Sequence, residues 1–132
     1  MIELFKSVWS TYNTSTAFKT ALTGGFHYGK APQGCALPYA TYFSGETGKE
    51  DTFGVEISEV PIQINIYTDI ASDVTACFTI LAACKALYRN TTLTVTGAWN
   101  VLLTKEMEIP PQNLDGIKWM AVISFNCLLQ EK

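Results

Sequence analysis

Between Val60 and Tyr67 the chain alternates without a break. Val60, Ile62, Ile64 and Ile66 are apolar, and Pro61, Gln63, Asn65 and Tyr67 stand between them. A period of two marks a strand with one buried face. It commits the chain to a sheet with something packed on one side. Pro61 predicts an edge position or a strand entrance, because proline has no N–H to give to a ladder. The period then changes. Ile70, Val74, Cys77, Phe78, Leu81, Cys84 and Tyr88 recur at steps of three and four, which predicts an amphipathic helix over about 72–89. Asp73 in its first turn, and Lys85 and Arg89 in its last, suit the helix dipole. Asn90 suits a left-handed end.

The remaining elements follow by the same reasoning. Ile2, Phe5, Val8, Trp9 and Tyr12 trace a helical stripe. Asn13 to Thr16 interrupts it, with Ser15 or Thr16 placed to cap a short continuation that Gly24-Gly25 stops. Phe26 to Tyr28 and Tyr39 to Phe43 read as strands, separated by turn chemistry at Lys30 to Gly34. Gly45 to Gly54 is polar and charged, and reads as an exposed hairpin tip or a mobile loop. Thr92 to Thr96 and Asn100 to Thr104 read as short strands, and Pro110 to Gly116 as a loop. The last strand, Ile117 to about Leu129, is apolar on both faces and therefore belongs in the middle of a sheet. The expected fold is α+β: a mostly antiparallel β-sheet with two α-helices packed against it, in a single domain over 1–132.

Composition narrows the function classes. Charged residues make up 16% of the chain, against about 25% in ordinary soluble domains. Few charges suit a subunit that hides its faces in an assembly; a surface of uncharged Thr, Ser and Asn is the plainer reading. A net charge of −3 with scattered lysines speaks against sequence-specific nucleic-acid binding. No apolar run approaches the ~20 residues of a membrane span. The first residues, Met1 to Lys6, lack a signal-peptide pattern, so folding in a cytoplasm is expected. Cys35, Cys77, Cys84 and Cys127 form no Cys-x-x-Cys pair, so no zinc site is expected. On one helix the α-carbons of Cys77 and Cys84 stand roughly 10 Å apart, beyond the ~7 Å limit for a disulfide.

Catalytic signals are weak. His27 is the only histidine, and its place between Phe26 and Tyr28 favours a structural role over a Ser-His-Asp or Cys-His centre. Gly45 to Lys49 misses the phosphate-loop pattern, with Phe43 where a glycine belongs and Glu50 where Ser or Thr belongs. Asp51, Glu56 and Glu59 lack calcium-loop spacing. No catalytic residue, metal site or cofactor is expected.

One set of short motifs is recognisable. Tyr28, then Ala31-Pro32-Gln33-Gly34, then Pro38-Tyr39 leading into a strand, resembles the signature of the small tail-completion family of long-tailed phages and prophages. The polar hairpin, the alternating strand, the amphipathic helix and the strand after Leu114-Asp115-Gly116 follow in the same order. His27 departs from the aliphatic residue more usual there, and 92–108 matches no motif. The resemblance implies a structural virion protein and no enzyme: a tail terminator forming a hexameric ring, assembled in the bacterial cytoplasm and resident in the neck. Its partners would be other copies of itself, the tail tube protein and the head-tail connector, with DNA passing through the lumen and no membrane. Residues Glu46, Thr47, Lys49, Glu50 and Asp51 would form an interaction loop that reaches the tube or a neighbouring ring. A connector subunit one ring higher, or a dimeric ligand-binding domain, are the alternatives.

Overall fold

A computed structural model describes residues 2–44, 48–52, 55–69, 74–88, 91–92, 98–114 and 116–131, with side chains placed at 5–43, 60–69, 74–88, 107–113 and 116–128. The order is α1 (Ile2–Thr14), α2 (Ala17–Ala21), β1 (Phe26–Tyr28), β2 (Tyr39–Ser44), β3 (Gly48–Thr52), β4 (Val55–Asp69), α3 (Val74–Tyr88), β5 (Thr91–Thr92), β6 (Ala98–Leu114) and β7 (Lys118–Glu131). The strands form one sheet in the order β1-β2-β4-β7-β6-β5, with β3 paired to β4. Only β1–β2 is parallel; the other pairings are antiparallel. The fold is α+β, as expected.

The alternation of β4 sets the core. Val60, Ile62, Ile64 and Ile66 are at most 1% exposed, and the ladder places them opposite Cys127, Phe125, Ile123 and Ala121 of β7. These eight side chains share the face covered by the helices. Burying one side chain of this size contributes about 1.5–3 kcal/mol. The stripe of α3 completes the layer through Cys77, Ile80, Leu81, Cys84 and Tyr88. Phe78, expected in that stripe, is instead half exposed, and Ile80 is buried in its place. At about 100° per residue, a stripe through 77, 81, 84 and 88 turns residue 78 away. Ile70, Arg89 and Asn90 lie outside the described residues.

The first helical region is split, as Asn13 to Thr16 predicts. Ser15, not Thr16, satisfies the break: its hydroxyl donates to Tyr12 O at 2.6 Å and accepts from Lys19 N at 3.2 Å. Thr16 makes no side-chain cap. α2 ends at Ala21 with Leu22 as its cap, ahead of Gly25, which takes a positive φ of 89°.

Three strand expectations are corrected. β4 is central and not an edge. β2 pairs with it from Ile62 to Tyr67 and β3 from Val55 to Glu59, so Val60 and Pro61 fall at the junction of the two partners. At such a junction a proline sits in a central strand without removing a ladder bond on that flank. The 45–54 stretch is not all loop, because Gly48–Thr52 forms β3 and makes a hairpin with β4. The Pro110-Pro111 stretch is not a loop either, since β6 continues to Leu114 through register shifts at Lys105/Met107 and Ile109/Gln112. Bulges of this kind let two prolines pass along a strand whose outer flank is mostly unpaired among the described residues. The strand expected at 92–96 is described only at Thr91–Thr92.

No described helix covers the other face of the sheet. It carries Tyr39 and Thr41 of β2, Gln63, Asn65 and Tyr67 of β4, and Met120, Val122 and Ser124 of β7. Thr41, Val122 and Ser124 are nonetheless buried, and Thr41 lies beside the 29–37 loop.

Candidate functional site

The loop from Gly29 to Leu37 folds over the helix-free face and encloses a cleft of about 450 Å³. Local geometry explains the fold of the loop. Gly29 and Gly34 take positive φ angles of 73° and 77°, where a side chain is strained. Cys35 N donates to Pro32 O at 3.1 Å, closing a turn. At its base Gly24 N donates to Pro38 O at 2.8 Å, and Ala40 N to Gly25 O at 3.1 Å. Gly24 is required there because an added Cβ would lie 1.8 Å from Ala36 O.

Opposite the loop, the floor of the cleft is an aromatic pair under a cation. Tyr39 faces Tyr67 across the β2–β4 ladder, with ring centroids 5.0 Å apart. Lys118 Nζ donates to Tyr39 Oη at 3.0 Å and stands 4.8 Å from the Tyr67 ring centroid. Contacts of this type contribute about 0.5–1 kcal/mol at exposed sites. Asn65, Thr41 and Lys30 also line the cleft, and among the described residues no aspartate or glutamate does.

Cys35 supplies the cleft's one thiol, and its sulfur lies 3.7 Å from His27 Nε2. The pair is not arranged for catalysis. His27 Nε2 is 2.7 Å from Gly24 O, which can only accept, so that nitrogen carries the proton. Cys35 Sγ donates to the same carbonyl at 3.1 Å. A protonated Nε2 facing the sulfur has no lone pair to take the thiol proton. His27 and Cys35 instead tie the loop to Gly24. Among the described residues, no group of three or more His, Cys, Asp or Glu is placed to hold a metal.

The residues singled out in sequence divide three ways. Ala31, Pro32, Gln33, Gly34 and Tyr39 come together in the cleft. Tyr28 and Pro38 do not join them: the Tyr28 ring packs on Phe5 at 4.8 Å on the helix side, and Pro38 serves through its carbonyl. Lys49, Glu50 and Asp51 lie on β3 at the far end of β4, while Glu46 and Thr47 lie outside the described residues. Sequence reasoning missed Asn65, Tyr67 and Lys118. Nothing local marks them; they meet the loop only because β2, β4 and β7 are neighbours.

No family model and no curated protein matches the chain. Solved structures do. A chain of the virion of a native gene transfer agent (GTA) particle superposes with a TM-score of 0.80 at 12% identity, covering 95% of this chain and 92% of that one. The fold is shared. A second solved chain gives a TM-score of 0.60 at 15% identity, covering 99% and 93%. At these identities the likeness is one of fold, and it extends over nearly the whole of each chain.

Proposed function

We propose that this chain is a structural subunit of a tailed-phage-type particle, a tail terminator that closes into a hexameric ring on the tail tube. The observation that carries the reading is the end-to-end fold likeness to a chain of a GTA virion. The Ala31 to Tyr39 signature supports the finer assignment, because a sequence motif is a line of likeness separate from the fold. A protonated His27 nitrogen facing Cys35 favours a role without catalysis. In this reading the ring stops tube polymerisation and offers its other side to the head connector. DNA passes through its lumen, and the protein resides in the neck of the virion.

Electron microscopy of particles made without this gene tests the proposal. Overlong, headless tails beside filled, tailless heads are expected. Tails of normal length would overturn it; if such tails also failed to join heads, the connector assignment would replace it.

A further inference from the structure

The cleft and the proline stretch of β6 stand in one row of the sheet. Tyr39 is the ladder partner of Tyr67, Tyr67 of Met120, and Met120 of Gln112, so the row crosses β2, β4, β7 and β6 in turn. Pro110 and Pro111 occupy the register shift just before Gln112, next to this row. At about 4.8 Å between neighbouring strands, the far end of the row lies roughly 14 Å from Tyr39. The tyrosines and the prolines therefore share one height along the strands, toward opposite flanks of the sheet.

The two surfaces have complementary chemistry. Proline has no N–H, so the β6 flank at Pro110-Pro111 is closed to the addition of a strand, and a neighbour must meet it through side chains. Pro110 and Gln112 are exposed, and Met107, earlier on the same strand, is 48% exposed. Met107 and Ile109 pair with Ser124 and Val122, on the helix-free face that the cleft also uses. A groove floored by tyrosine rings suits an extended proline segment, whose fixed φ leaves little conformational freedom to lose on docking. At about 450 Å³ the cleft holds a short segment of that kind. Pro32, Leu37 and the 65% exposed Ile117 give it further apolar lining.

We propose that the cleft over Tyr39 and Tyr67 receives the 109–112 stretch of a second copy of this chain. A chain cannot fill its own cleft, because both surfaces are fixed in the same hydrogen-bonded sheet. Rotation about an axis parallel to the strands carries each row of the sheet to the same height in the next subunit. The prolines of one copy then arrive level with the tyrosines of its neighbour. The contact joins different flanks of the two subunits, so it is head-to-tail, and repeating it closes a ring. The inference rests on the ring reading above and gives that ring its interface.

Cys35 lines the cleft and serves as a built-in probe. The purified full chain carrying Gln112→Cys is treated with a mild oxidant and analysed by non-reducing electrophoresis. A disulfide needs α-carbons within about 7 Å. Links between position 112 of one subunit and Cys35 of the next should give a ladder of trimers and larger species, absent from wild type and from Cys35→Ser/Gln112→Cys. In sedimentation of the unlinked protein, Pro110→Ser and Tyr67→Ala should each raise the concentration needed for assembly by about tenfold or more. Pro110 is exposed, so its substitution leaves the core and the cleft intact, and circular dichroism checks that Tyr67→Ala folds. A wild-type chain that stays monomeric, links that stop at dimers, or Pro110→Ser chains that assemble like wild type would overturn the interface. A ladder found together with normal tails in the gene deletion would keep the interface and discard the terminator reading. Overlong tails without a ladder would do the reverse.

Discussion

The hydroxyl of Tyr88, on the last turn of α3, donates to the backbone carbonyl of Val8 in α1 at 2.8 Å, across eighty residues of sequence. Both residues are 1% exposed. The Tyr88 ring also meets Phe18 edge-on at 6.3 Å and Phe125 at 5.9 Å, so one side chain joins α1, α2 and β7.

Tyr88→Phe keeps those ring contacts and removes one buried hydrogen bond. The expected loss is about 0.5–1.5 kcal/mol, read as a lower urea midpoint with an unchanged slope. Tyr88→Ala, which empties the site, should cost about 3–5 kcal/mol. Equal effects of the two substitutions would show that the hydroxyl, not the ring, carries the contribution.

Gly24→Ala should destabilise by steric collision. The new Cβ would meet the Ala36 carbonyl at 1.8 Å and the Tyr39 Cβ at 2.9 Å, and backbone cannot step aside cheaply. Overpacking of this kind costs about 1–3 kcal/mol. Because Gly24 anchors both the loop and His27, the melting midpoint should fall. Gly34→Ala meets nothing within 4 Å, so its smaller cost would come from its positive φ alone.

Thiol titration should separate the cysteines. Cys77, Cys84 and Cys127 are buried and Cys35 is half-buried. A thiol reagent added to the native protein should modify Cys35 quickly and the other three only as the protein unfolds. The Cys35→Ser chain should show no fast phase. A fast phase that survives this substitution would contradict the burial of the helix-face thiols.

Alkaline pH should unfold the protein. Burial pushes the Cys84 and Tyr88 groups far above their ordinary values of 9.0 and 10.0, and raises Cys127 to about 12. Burial also raises Tyr12 and Tyr42, the latter with a smaller push from Tyr28. Cys77 is raised by burial against a smaller opposing effect of the Thr68 hydroxyl. In each case the folded form holds its proton where the unfolded chain has lost it. Stability is therefore complete below about pH 9 and falls as pH rises above it. Melting midpoints in reducing buffer should be level from about pH 7 to 9 and drop beyond; a level profile to about pH 11 would refute the burial of these groups.

The sequence alone determined the elements whose patterns are local. The alternation of Val60 to Ile66, the stripe through Cys77, Leu81, Cys84 and Tyr88, and the doubly apolar run from Trp119 to Leu128 each specified an element and its buried face. Burial acts on every residue of such a run at once, so the period survives in the residue string. The break at Asn13 to Thr16 was legible for a similar reason, since capping chemistry lies within four residues. Tertiary structure decided what depends on neighbours. Pro61 sits in a central strand because two different strands flank β4 and leave a junction, and Pro110-Pro111 pass through β6 on bulges; neither is visible one residue at a time. Phe78 points outward because it lies about 90° round the helix from the centre of the stripe through Cys77, Leu81, Cys84 and Tyr88. The cleft was half legible: the Ala31 to Tyr39 turn is a contiguous motif, whereas Asn65, Tyr67 and Lys118 reach it through the pairing of β2 with β4 and of β4 with β7. Strand order is set by long-range hydrogen bonding and packing, and no local period encodes it.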